Sequence, residues 1–282
     1  MEIKNKFYPA FSGINKIAII GAGGEMGSWF CDFFSKEGIE VFASDRVQGK
    51  LKGLKVNLAK DNIEAVKSAN FILISVLLKD FGNAILEIAS HLRKEQIVMD
   101  ISSLKEKPVQ IMHRFLKKNL ILGTHPLFGP AAEIRAESQN FFLTPTNRKE
   151  KILAKDFGNW LRKKGFNVTE MSPKKHDQLM AVVLGIPHFI GLAAGSTLAN
   201  LNVRKLKKLA GPSFKKLFAL VQNVAFSSPE FYSELHLNLP KINEIESIFE
   251  RETKLWREII KNKKGKKFIE KMRKIKNAVK VN

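Results

Sequence analysis

Residues 16–27 read Lys16-Ile17-Ala18-Ile19-Ile20-Gly21-Ala22-Gly23-Gly24-Glu25-Met26-Gly27, a short apolar run that stops at a cluster of glycines. An amphipathic stretch, 26–36, follows, and a second apolar run, 41–44, is closed by Asp45. This spacing predicts strand, helix and strand, about the smallest unit that lets two strands lie parallel. Glycines at such a turn let the backbone bend sharply and approach a pyrophosphate, whose charge is met by free N–H groups at the helix N-terminus. A strict GxGxxG reading fails, because Met26 holds its last position; the pattern is GxGGxMG, one residue longer. Asp45 stands where an acidic group accepts hydrogen bonds from the adenosine ribose, which favours NAD, while Arg46 beside it is placed to receive a 2′-phosphate, which makes NADP the alternative. The predicted cofactor set is Gly21, Gly23, Gly24, Glu25, Met26, Gly27, Asp45 and Arg46, with Ser75 and Val76 at the end of the 71–76 run.

The alternation continues outward from this unit. Residues 71–76 form a continuous apolar run, as expected of a strand covered on both faces. Helical period at 81–92, a strand at 97–101, a helix at 108–116 and a strand at 120–123 come next. A strand at 141–144, a helix at 152–163 and a strand at 168–171 complete the series. Strands alternating with helices predict an α/β fold, a Rossmann-like parallel sheet with helices on both faces. From Ser172 onward only helical periods occur, at about 174–200, 203–226, 230–261 and 266–279. Ser172-Pro173 suits a helix start, since proline is tolerated in the first turn. The expected division is therefore 15–172, a dinucleotide-binding domain, and 173–282, an all-helical substrate and dimerisation domain.

Composition bounds the class. At 282 residues, 44% hydrophobic and 9% aromatic, the chain can bury full cores and is not a disordered one. The single cysteine, Cys31, excludes an internal disulfide and a cysteine-based metal site, so no metal is expected and a reducing, cytoplasmic setting is. The net charge of +21 comes mostly from lysine spread along the chain and densest in 261–280. It lacks the arginine and aromatic interleaving of a nucleic-acid groove, and reads as a solvated surface with a mild pull on anionic substrates. Residues 180–199 carry no charged side chain and approach the length of a membrane span. Pro187, His188, Ser196 and Thr197 within them point instead to a helix buried at a subunit interface, hence a homodimer and no membrane.

Two further stretches follow the last strands, where open α/β sheets place ligands. They are Asp100-Ile101-Ser102-Ser103-Leu104-Lys105 and Gly123-Thr124-His125-Pro126-Leu127-Phe128-Gly129-Pro130. Glycines and prolines around His125 predict a rigid loop that holds its ring beside the nicotinamide. With these motifs the chain resembles the prephenate dehydrogenase family, in the form without an appended regulatory domain. The glycine run with Met26, residues 100–105 and 125–130, and His176-Asp177 followed by Pro187-His188-Phe189 all look like that family's motifs, and the resemblance runs from about Ile17 into the C-terminal helices.

The resemblance implies oxidative decarboxylation of a cyclohexadienol: prephenate would lose a hydride to NAD and CO2 from its quaternary carbon, giving 4-hydroxyphenylpyruvate in tyrosine biosynthesis. It implies His125 as the base for the ring hydroxyl, Ser103 as a hydrogen-bonding partner of the same region, and His176 and His188 as pocket residues. Two positions depart from the family pattern. Asn223 stands where the family has its substrate-binding arginine, and Leu184 stands where it has a polar residue. Asparagine cannot form the bidentate carboxylate clamp of a guanidinium, so Lys215, Lys216 or Arg135 would have to supply charge, or the substrate is arogenate or a related compound. A β-hydroxyacid or imine reductase is the alternative enzyme, and a nucleotide-binding regulatory or nucleic-acid-associated protein is the alternative outside catalysis.

Overall fold

The structure is a computed structural model that describes residues 11–130 and 139–280 of the chain. Its first unit alternates β1 (Lys16–Ile20), α1 (Glu25–Lys36), β2 (Glu40–Ser44), β3 (Asn57–Leu58), α2 (Asn62–Ser68), β4 (Phe71–Ile74), α3 (Leu78–Ala89), β5 (Ile97–Asp100), α4 (Glu106–Phe115), β6 (Leu120–Pro126), β7 (Asn140–Thr144), α5 (Arg148–Lys163) and β8 (Asn167–Glu170). The eight strands form one sheet in the order β3-β2-β1-β4-β5-β6-β7-β8. Successive side chains on a strand face opposite ways, and the burial follows that rule. Ile17, Ile19, Leu73, Met99 and Leu122 join one core, which α1 fills with Trp29, Phe30, Phe33 and Phe34. Ala18, Ile20, Ile72, Ile74, Val98 and Ile121 join the other, under α2, α3 and α4. A strand buried on both faces has no polar alternation to show, which explains the unbroken Phe71–Ile74 run.

The sheet departs from the parallel arrangement expected of it at one place. β6 and β7 are antiparallel, with His125 opposite Phe142 and Gly123 opposite Thr144. The chain bends at Phe128 and turns at Pro130. An antiparallel return needs no crossover element, whereas a parallel one does. The strand also runs on to Pro126, so His125 sits in a ladder and not in the loop expected of it. Main-chain pairing holds the ring more firmly than the loop's glycines and prolines would.

Among the described residues seven helices follow: α6 (Pro173–Val183), α7 (Gly185–Ala199), α8 (Val203–Lys208), α9 (Pro212–Ala225), α10 (Pro229–Asn238), α11 (Ile242–Lys261) and α12 (Gly265–Ala278). The sequence periods ran together helices that prolines separate. Pro187 has no N–H for the carbonyl four residues back, and the helix breaks at Leu184. Gly211-Pro212 starts α9 with proline in its first turn. Pro240 precedes Lys241, which takes the left-handed conformation at φ 59° ahead of α11.

The chain divides into two compact units, Met1–Met180 with Ser228–Asn238, and Ala181–Ser227 with Leu239–Asn282. The first turns of α6 go with the sheet unit, to which His176 and Asp177 tie them. Helix α10 belongs to the same unit: the Glu234 carboxylate accepts the N–H groups of Leu78 (2.9 Å) and Lys79 at the start of α3. In the second unit α7 lies close against α9, with Gly191 leaving room for Val224. Pro173–Ala199, taken across the turn at Leu184, is long and apolar enough to cross a membrane by length and composition alone, a test that the core helix of a soluble protein also passes.

Candidate active site

Along the parallel part of the sheet, the register aligns Ile20, Ile74, Asp100 and Gly123 at one level. The glycine turn, Ser75, the 100–105 segment and His125 therefore all lie at or beyond the carboxyl ends of their strands. This is the edge where such sheets bind ligands.

At the β1–α1 turn each glycine answers a specific approach. Gly21 has φ +81°, and a Cβ there would lie 2.3 Å from the Ser75 carbonyl oxygen. A Cβ on Gly27 would lie 2.2 Å from the Gly21 carbonyl oxygen, so Gly27 performs the close helix-to-turn packing that Met26 could not, which is why the motif is one residue longer. Met26 packs instead toward the core, and Glu25 is exposed in the first turn. Gly24 caps α1 without a side-chain hydrogen bond, whereas α2 is capped by Asp61 and α5 by Asn147. The N-terminal amides of α1 are thus left for an anion. Asp45 Oδ2 accepts the Gly23 N–H at 3.1 Å, and Oδ1 accepts that of Val47 at 2.8 Å. Val76 lies against Gly21, so Ser75 and Val76 join the turn. Arg46 is exposed and reaches Asp80 at 3.4 Å.

On the β5–β6 side the sequence expectation covers only part of the arrangement. Ser103 is half-buried in the segment after β5. The unforeseen feature is a buried ion pair beneath it: the Lys105 ammonium and the Asp100 carboxylate are both fully buried and in direct contact. Lys105 Nζ also donates to the Thr124 carbonyl at 2.5 Å, and the Ser102 N–H donates to Asp100 Oδ2 at 2.9 Å. Burial pulls the Lys105 pKa below its usual value, against the opposing pull of Asp100 and Asp177. Both residues stand in the quoted 100–105 motif, but no local pattern shows that they pair.

His125 is 4% exposed, and its Nδ1 lies 2.9 Å from Nε2 of His176. His176 Nδ1 in turn lies 2.7 Å from Asp177 Oδ1. The same carboxylate caps α4, since Oδ1 accepts the Lys105 N–H at 2.7 Å and Oδ2 that of Glu106 at 2.9 Å. Among the described residues, Nε2 of His125 has no hydrogen-bond partner. Burial, reinforced by His176 and Lys105, holds the His125 pKa well below the usual histidine value; burial lowers that of His176 as well, with Asp177 opposing. Both rings are neutral at pH 7. Because the unfolded chain binds these protons more readily, stability is present above the ordinary histidine range and falls as pH drops through it.

Of the other expected residues, His188 lies on α7 and Lys215 and Asn223 lie exposed on α9, all in the second unit. The Asn223 carbonyl accepts the Ser227 hydroxyl at 2.6 Å. Leu184 is the residue at the break before α7, Lys216 is exposed on α9, and Arg135 lies outside the described residues. Among the described residues no group of acidic, histidine or cysteine side chains is arranged to hold a metal.

Comparison with known proteins places this arrangement in context. The model of the prephenate dehydrogenase nucleotide-binding domain matches residues 37–181, and that of the prephenate dehydrogenase dimerization domain matches 172–274. A Methanocaldococcus jannaschii protein described as a probable arogenate/prephenate dehydrogenase is 32% identical over 265 residues, 91% of this chain and 59% of that protein. The chain spans 52% to 59% of the length of this and three other curated relatives. Prephenate dehydrogenase from Aquifex aeolicus, solved with hydroxyphenyl propionate and NAD+, superimposes with a TM-score of 0.78 at 21% identity, over 94% of this chain and 97% of that one. Synechocystis arogenate dehydrogenase superimposes at 0.68 with 18% identity, over 93% and 98%. At these identities the structural likeness speaks for the fold.

Proposed function

Because this chain belongs to the prephenate dehydrogenase family, we propose that it is an NAD-dependent dehydrogenase that converts prephenate to 4-hydroxyphenylpyruvate and CO2. The observation that carries the reading is His125: a buried, neutral imidazole with one nitrogen engaged and the other open, on the same sheet edge as a glycine turn built for a pyrophosphate.

Gly21, Gly23, Gly24 and Gly27 with the first amides of α1 would hold the pyrophosphate, and Asp45 the adenosine ribose, with Ser75 and Val76 closing the turn. Asp45 disfavours a 2′-phosphate by like charge, and Arg46 is already engaged with Asp80, which supports NAD over NADP. When bound, the nicotinamide supplies a hydride acceptor. His125 Nε2 takes the proton of the ring hydroxyl, so the oxygen becomes a carbonyl as the C–H pair departs. Loss of CO2 from the quaternary carbon sends its bonding pair into the ring. The oxygen, now a phenolate, recovers the proton from His125. The base ends the cycle as it began, and aromatisation makes the sequence strongly downhill. Ser103, on the segment between Asp100 and Lys105, fits a hydrogen-bonding role toward the same hydroxyl.

Arogenate is the second reading, and Asn223 in place of a guanidinium favours it, since arogenate keeps both carboxylates but its ammonium leaves one net negative charge fewer to be met. The two are separated by initial rates with prephenate and arogenate, each with NAD and NADP. We expect NADH from prephenate, with Asp45→Ser moving preference toward NADP. A faster rate with arogenate supports the second reading, and no reduced nucleotide from either substrate removes both.

The second unit supports self-association. Only 22% of the most apolar window of Pro173–Ala199 is buried within the chain, and Leu192, Phe226 and Ile248 expose 44%, 81% and 51% of their surface. A surface this apolar is ordinarily covered by a partner, and the matched domain model is a dimerization domain. We expect a homodimer in sedimentation at micromolar concentration; a monomer there discards it.

A further inference from the structure

We propose that Asp177 and His176 are positioning residues that fix His125 in the tautomer with its proton on Nδ1 and its lone pair on Nε2, a relay that rests on the reading of His125 as the base. The direction of the relay is set at its far end. Asp177 is built as an acceptor: both of its oxygens receive main-chain amides, which have nothing to do but donate. Its contact with His176 at 2.7 Å therefore takes the Nδ1 proton of that ring. A neutral His176 then has only a lone pair at Nε2, so at 2.9 Å the His125 Nδ1 must be the donor. That leaves Nε2 of His125 as an acceptor, the state a base needs before it can take a hydroxyl proton. If the order were reversed, Nε2 would carry hydrogen and the same ring, in the same place, could only donate.

The construction is specific in other ways. His176 and Asp177 are neighbours in the first turns of α6, and His125 and Asp177 reach each other only through the intervening ring. Among the described residues, the charged and titratable groups near His125 are the Lys105 ammonium with its Asp100 partner, His176 and Asp177. Lys105 opposes protonation of both rings, while Asp177 favours it on His176, so the relay holds the resting rings neutral and offsets the charge when a proton arrives. A carboxylate that orients a histidine this way also governs hydrolytic triads, where its loss leaves the base in the wrong tautomer. Here a second imidazole is interposed.

The first test needs no variant and no substrate. Imidazole 15N spectra of the full chain at pH 7 should show His125 protonated on Nδ1 and bare on Nε2; the opposite tautomer overturns the proposal whether or not the enzyme turns over prephenate. Conversely, the stated tautomer in a chain that oxidises no cyclohexadienol leaves the relay standing and removes the activity reading. The second test is kinetic. Asp177→Asn should lower kcat by about 10²-fold or more with the dissociation constant for NAD unchanged, and the acid limb of the kcat profile should move to lower pH, because the carboxylate that raises imidazole basicity is gone. A merely structural role would reduce the amount of active enzyme without moving that limb. Since Asp177 also caps α4, His176→Leu is the companion variant, removing both the acceptor and the donor of the relay while keeping the cap. Unchanged kcat and an unmoved limb in a folded His176→Leu enzyme overturn the proposal.

Discussion

His125→Asn is expected to lower kcat by two to four orders of magnitude while the dinucleotide still binds. The reason lies in what asparagine keeps and what it lacks. Its amide can still donate toward His176 Nε2 from near the position of Nδ1, so the buried chain to Asp177 need not collapse. It offers no basic nitrogen on the open side. The loss corresponds to roughly 3–5 kcal/mol of transition-state stabilisation, at about 1.4 kcal/mol per tenfold. The glycine turn and Asp45 are at the other end of the set, so NAD affinity, followed by fluorescence titration, should be unaffected. Full turnover in the variant would remove His125 from the chemistry; lost NAD binding would mean the substitution had disturbed the sheet edge.

The second large effect is on stability. Lys105→Met should destabilise the first unit by about 3–5 kcal/mol, because it leaves the fully buried Asp100 without its counter-charge. Asp100 Oδ1 already has no hydrogen-bond partner, and Oδ2 would keep only the Ser102 N–H. At roughly 2–4 °C per kcal/mol for a domain of this size, the thermal midpoint should fall by about 6–20 °C. The pair Asp100→Leu with Lys105→Met should recover most of the loss, since an apolar pair removes the burial penalty of both charges at once. A midpoint unchanged by Lys105→Met would show that the pair does not brace the segment carrying Ser103.

Much of this was open to reading from the chain. The turn at Gly21–Gly27, the strand ending at Asp45 and the domain order show in local pattern, since apolar periodicity and glycine placement act over a few residues. Gly27 could be suspected of replacing the third glycine, but its reason, contact with the Gly21 carbonyl, needed the folded turn. Other features had no local signal. Proline breaks within the helical periods were visible as residues, yet their weight against a strong period was not. The return of α10 to the sheet unit rests on Glu234 meeting amides 156 and 155 residues away.

The same line divides the proposed active centre. A histidine and a glycine turn at the carboxyl ends of neighbouring strands are legible in His125 and Gly21–Gly27, because side-chain chemistry and backbone freedom are properties of residues and short spans. Which way its proton points is not, because that is settled by His176, 51 residues on, and by a carboxylate whose other partners lie 72 and 71 residues back. Hydrogen-bond direction passes from donor to acceptor through space, and only the packing of α6 and α4 around β6 brings those groups within reach.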